Sequence, residues 1–177
     1  MIRLYKILLV LAGFLFLAQG DIFAQISNPV SVTGHVLAEI IPIFTASEMS
    51  QLNFGRISPG YQGGEIILSP ESTVSVLGSV YKGTGSHNAA SFAVSGDADA
   101  TFSVTLPSSP VVLTHSTDAK KLLVDDWVSV PSRGTGTGVL QNGYQVVYVG
   151  ATLKVGTLND NPVGIYTGSY TITFDFY

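Results

Sequence analysis

Apolar and polar residues alternate along most of this chain, most clearly near its end. In the run from Tyr170 to Phe176, Tyr170, Ile172, Phe174 and Phe176 share one parity, while Thr171, Thr173 and Asp175 take the other. A period of two is that of a β-strand with one buried face. The pattern predicts a long closing strand from Val163 to Tyr177. No residue follows Tyr177, so the strand is expected either to pair inside a closed sandwich or to border a groove that another strand fills. The same alternation predicts a first strand over 30–41, with Val30, Val32, Val36, Ala38 and Ile40 in phase and Pro42 ending it. Gly34 within it reads as a bulge or a switch between sheets.

Further strands are predicted at 52–55, 65–69, 72–81, 90–95, 100–106, 111–114, 121–130 and 143–155. In the last of these Val147, Val149, Ala151, Leu153 and Val155 are in phase. The strands at 90–95 and 100–106 flank Gly96-Asp97-Ala98-Asp99 and read as a hairpin. Thr45 to Gln51 reads as a polar loop or a single helical turn, and Gly60 to Gly64 as a turn. Gly83 to Asn88 and Arg133 to Gly138 read as loops. No long segment carries a helical period. About ten short strands broken by frequent turns argue for an all-β fold, an antiparallel immunoglobulin-like β-sandwich. Residues 25–177 are expected to form one such domain.

The first residues change the compartment rather than the fold. Arg3 and Lys6 precede an apolar run from Leu8 to Ala18, and small residues follow at Gly20 and Ala24. This is the pattern of a signal peptide over 1–24, with cleavage after Ala24 favoured over cleavage after Gly20. The apolar run is short for a membrane span and no second one follows, so no span is expected after cleavage. The chain has no cysteine, which excludes disulfides and attachment through a lipidated cysteine. Its formal net charge is −4, and the clearest basic pair is Lys120-Lys121. Nucleic-acid binding, which needs several cations on one face, is not expected. The protein is expected to be exported, to the periplasm, the cell surface or the medium.

Chemistry-bearing residues are scattered. His35, His87 and His115 lie in separate segments without the spacing of a zinc site, and read as surface or strand-edge residues. Asp97 and Asp99, like Asn159-Asp160-Asn161, fit turn chemistry better than a calcium loop. Asp125 and Asp126 stand beside Trp127, but adjacent strand residues face opposite ways, so they make a poor glycosidase pair. Trp127 is expected in the core. Gly134, Gly136 and Gly138 lack the lysine and the strand-to-helix setting of a phosphate loop, and no nucleophile elbow occurs. No enzyme activity, catalytic residue, cofactor or metal is expected.

One constellation stands out: the C-terminal residues Tyr166, Tyr170, Ile172, Phe174 and Phe176, with Tyr177 after them. They read either as the core strand of a closed sandwich or as a strand that recruits a partner by β-augmentation. Five blocks in order carry a resemblance: Leu52 to Gly55, Gly60 to Pro70, Val104 to Thr114, Tyr148 to Gly156 and Pro162 to Tyr177. Together they resemble a secreted bacterial family designated domain of unknown function 4402. That family is in turn similar to the spore coat protein U and archaic chaperone–usher pilin group, through Val32-Thr33-Gly34-His35-Val36, Leu52 to Gly55 and the closing Gly164-x-Tyr166 strand. The resemblance implies a sandwich with an incomplete last strand, export, and assembly at the cell surface. A periplasmic chaperone and neighbouring subunits are then the expected partners. The leading expectation is a non-enzymatic fimbrial or surface subunit active in adhesion, joined by strand complementation through Gln25 to Val32. The alternative is a self-complete secreted domain that binds a ligand such as a glycan through loops 83–88 and 133–138.

Overall fold

The computed structural model describes residues 28–40 and 43–177. The predicted signal peptide, both cleavage points and Pro42 lie outside the described residues. The chain divides into a unit ending at Glu39 and a unit from Ile40 to Tyr177, and each is described by itself. In the first, residues 28–39 have no regular secondary structure. Val30, Val32, Val36 and Leu37 are exposed there, Val36 at 97 %. The strand expected over 30–41 is therefore not formed in its described part. Alternation marks a segment able to enter a sheet, but a strand also needs a ladder partner for its backbone groups.

The second unit contains eleven strands and no helix among the described residues: β1 (Thr45–Ser50), β2 (Ile57–Leu68), β3 (Val74–Lys82), β4 (Ala90–Ser95), β5 (Thr101–Thr105), β6 (Val111–His115), β7 (Lys121–Val130), β8 (Gly134–Val139), β9 (Tyr144–Val155), β10 (Tyr166–Thr167) and β11 (Thr173–Phe176). All their pairings are antiparallel. The larger sheet runs β1-β4-β9-β7-β6-β10, with the β2–β3 hairpin attached through β9. The smaller runs β11-β5-β8. The expected all-β antiparallel sandwich is the fold observed.

β9 is the hub. Its first half pairs with β4 and its second half with β2, while β7 lies along its other side. Val147, Val149, Ala151, Leu153 and Val155 are all buried, in the phase the alternation predicts. β7 keeps Leu122 and Val124 inward, then its register shifts between Asp125 and Val128. Asp126 takes a left-handed backbone (φ 49°), and the extra residue reverses the parity so that Trp127 and Ser129 are buried. Opposite this face, β5 contributes Phe102 and Val104, and Leu140 follows β8; all three join the same apolar cluster. Each fully buried side chain of this size stabilises the fold by roughly 1.5–3 kcal/mol before conformational entropy is subtracted.

Several expectations are corrected. Thr45–Ser50 is a strand, paired with β4, because main-chain pairing can form a polar edge strand without an apolar face. Leu52–Gly55 is no strand; it supplies a single bridge, Asn53 to Asn88. Gly60 to Gly64 is not a turn but an irregularity within β2, where the register with β3 shifts between Pro59 and Gly63. β4 and β5 do not form a hairpin: they lie in different sheets, and Gly96 to Ala100 carries the chain across the sandwich. The region Arg133 to Gly138, expected as a loop, is largely strand β8, paired with β5. Gly138 is needed there because the Phe102 ring occupies the space a side chain would take. The closing strand is split: β10 pairs with β6 and β11 with β5, and residues 168–172 pass between the two sheets.

Candidate functional site

The two sheets each end in a strand that has only one neighbour, and these two edges face one another. Among the described residues β1 pairs only with β4. Among the same residues β11 pairs only with β5, in the register Phe174 to Val104 and Phe176 to Phe102. No ladder joins β1 to β11 among the described residues, so each leaves one edge of its backbone unpaired. At one end Phe44, just before β1, stacks on Phe176 with ring centroids 4.1 Å apart. Between the rims Phe92 of β4 meets Tyr170 (6.4 Å) and Phe174 (6.1 Å). Tyr170 in turn lies on Trp127, 4.6 Å away.

The result is a cleft with an apolar floor that is only half covered. Phe44, Phe92, Tyr170, Ile172, Phe174 and Phe176 are partly buried and packed on the core. The β1 rim is more open still, and Ala46 and Glu48 are exposed. Glu48 pairs with Phe92 and so sits on the parity that faces the cleft. A charged residue facing inward on an edge strand is a recognised brake on edge-to-edge aggregation. Burial pushes the Tyr170 phenol well above its ordinary range, and the negative charge of Glu48 adds to that shift. The Tyr170 hydroxyl and the Trp127 indole N–H are buried atoms with no hydrogen-bond partner among the described residues.

Four of the five singled-out residues thus line this cleft: Tyr170, Ile172, Phe174 and Phe176. Tyr166 does not. It lies in β10, at the opposite edge of the larger sheet from β1. There its hydroxyl donates to the Pro162 carbonyl at 2.9 Å, its ring meets His115 edge-on at 4.8 Å, and burial raises the phenol. Sequence reasoning missed Phe44, Glu48 and Phe92, because the rim formed by β1 read as a loop. The inward parity of Phe92 within 90–95 was the available signal.

The remaining candidates disperse. His115 is buried rather than a surface residue. The Thr117 backbone N–H donates to its Nδ1 (3.1 Å), and its Nε2 lies 3.1 Å from the Val163 carbonyl. His87 lies in the loop after β3, and His35 is exposed in the first unit. Asp97 and Asp99 lie in the crossing between β4 and β5, where the Asp99 N–H donates to the Leu140 carbonyl at 2.8 Å. Asp126 and Glu65 both hold Lys154, at 3.1 and 2.8 Å, and these hydrogen bonds raise the ammonium above its ordinary range. Asp160 accepts from the Thr157 hydroxyl (2.7 Å) and N–H (3.1 Å), which hold its carboxyl below the usual range. Asn161 is buried and ties that turn to β7 by donating to the Lys121 carbonyl at 2.9 Å. Among the described residues no three His, Asp or Glu side chains converge as metal ligands. Nor is any helix there long and apolar enough to cross a membrane.

The family model described as Domain of unknown function (DUF4402) matches residues 44–176. That is most of the chain, and the chain belongs to this family. The matched span starts at Phe44 and ends at Phe176, so it contains both rims of the cleft. No curated protein matches the chain.

Proposed function

We propose that this member of the family is a non-enzymatic, exported surface or fimbrial-type structural subunit that assembles by β-strand complementation. The cleft between β1 and β11 is the acceptor. A periplasmic chaperone strand fills it first, and the segment before Phe44 of a neighbouring copy replaces that strand. The observation that carries this reading is the pair of unpaired edges, β1 and β11, over a half-covered aromatic floor. A strand laid between them would gain main-chain hydrogen bonds from the rims and bury alternate side chains on the floor.

The donor side is supported by the segment 28–40. It carries Val30, Val32, Val36, Ala38 and Ile40 on one parity, and all are exposed. The donor is thus longer than Gln25 to Val32 alone, because the exposed alternation continues to Ile40. The leader sequence supports export, and the resemblance to the spore coat protein U and archaic chaperone–usher pilin group supports assembly.

The test is a denaturing gel of the protein recovered from its native cell surface, run with and without boiling. The expected result is a ladder of multiples that collapses to one band on heating. A single monomer band in both lanes would overturn the reading.

A further inference from the structure

Outside the strand cleft, the larger sheet carries a protrusion that its backbone enforces. β2 and β3 pair Pro59 with Val80 and then Gly63 with Ser79, so Gly60, Tyr61 and Gln62 are left without partners on β3. Glycines set this bulge. A side chain at Gly60 would run into the Ser79 hydroxyl, and Gly63 takes a left-handed backbone (φ 68°) against the Val155 carbonyl. Tyr61 is thereby pushed outward and is 99 % exposed. A ring held out in this way buries almost none of its apolar surface on its own chain. Aromatic knobs of this kind, once buried, dominate contacts between proteins.

Beside the bulge lies an open cavity of about 430 Å³. Gly64, the next residue after Gly63, lines it, and so do Val155 and Gly156, which Gly63 touches. Its charged walls are Glu65, Lys121, Lys154 and Asp160, two of each sign, and Leu123 is an apolar wall. Glu65, Lys154 and Leu123 stand in one row across β2, β9 and β7, and Leu77 continues the row on β3. Directly paired residues share a face of the sheet. Leu77 and Leu123, both exposed, therefore flank the Glu65–Lys154 ion pair.

A surface that holds a knob next to a cavity is complementary to itself. In a two-fold pair the same patch meets its own copy, and each knob reaches the other's cavity. Charge also favours a second copy. The chain is net −4, so two copies repel least where they meet through walls of no net charge. The cavity suits a phenol: Leu123 offers the ring an apolar wall, the Lys121 ammonium a cation for its face, and the Asp160 carboxylate an acceptor for its hydroxyl. We infer that this end of the sheet joins two copies of the protein about a two-fold axis, with the Tyr61 of each seated in the cavity of the other. The pairing goes beyond strand complementation and uses neither rim of the cleft.

The test is sedimentation velocity of the purified protein over a range of concentrations, beside an unboiled denaturing gel. Strand-complemented multimers survive on that gel and this pair does not, so the species scored is a dimer present in solution and absent from the gel. Its share is expected to grow with concentration. Tyr61→Ser should lower the association constant at least about tenfold, as the loss of a buried aromatic anchor does. Lys121→Glu should do the same by turning the cavity wall negative. A mixture of the two variants restores one knob and one cavity and should recover part of the dimer. Tyr144→Ser removes an exposed ring at the other end of β9 from Val155 and should change nothing. A protein that is monomeric at every concentration, a dimer indifferent to Tyr61→Ser, an equal loss with Tyr144→Ser, or no recovery in the mixture would overturn the pairing. Failure of strand complementation shows separately, as a gel without a ladder. The three substituted side chains are exposed, so unchanged melting temperatures verify that the variants fold.

Discussion

At the residue scale, the informative side chains are those whose environment contradicts their chemistry. Tyr170 buries a hydroxyl that has no partner among the described residues, and an unmade buried hydrogen bond costs roughly 1–3 kcal/mol. Tyr170→Phe is therefore expected to stabilise the isolated protein by about 1 kcal/mol, seen as a higher urea midpoint. A lower midpoint would mean that the hydroxyl is already satisfied. Asn161 is the opposite case: it accepts from the Gly156 N–H and donates to the Lys121 carbonyl. Asn161→Ala should lower stability by about 2 kcal/mol, since both bonds are lost. Asp160 gives a pH dependence. Its carboxyl is held below its ordinary value of 3.8, mainly by the Thr157 hydroxyl. The contribution is full above that value and is lost as pH falls through the lowered one. Thermal melts of wild type and Asp160→Asn should therefore differ near neutrality and converge in strong acid.

At the element scale, legibility followed exposure. β9, with one face wholly buried, was readable residue by residue, because burial imposes the strict period of two. β1 was not: TASEMS carries no apolar face, and only its ladder with β4 makes it a strand. β8 was hidden for a related reason, since glycine hides a strand whose inner face must make room for the Phe102 ring. The closing segment was legible in parity but not in pairing, and so Tyr166 was grouped with residues at the other edge of the sheet. In β11 and the approach to it, Ile172→Asp and Phe174→Asp place a charge on the cleft floor. Both should abolish recovery of assembled subunits from the cell surface. Normal assembly of both would remove the cleft from the mechanism.

At the scale of the molecule, two open edges over an aromatic floor make a domain whose stability should depend on what fills the cleft. A version beginning at Phe44 should stay monomeric at concentrations where the longer chain assembles. A synthetic peptide of residues 28–40 should raise its melting temperature, because a ligand that binds only the folded state stabilises it by mass action. A peptide with Val32 and Val36 replaced by Asp should not; equal shifts from both peptides would point to non-specific binding. The sequence by itself determined the all-β class, the buried phase of β9, the inward Trp127 and the aromatic parity of the C-terminal run. Those follow from local chemistry, since alternation and turn residues act over a few positions. Only the tertiary structure decided which strands pair, that β4 and β5 part to different sheets, that Tyr166 leaves the aromatic group, and that β1 and β11 face each other unpaired. Pairing is a long-range choice: every strand offers the same backbone donors and acceptors, and the packing of the whole core selects which edges meet and which stay open.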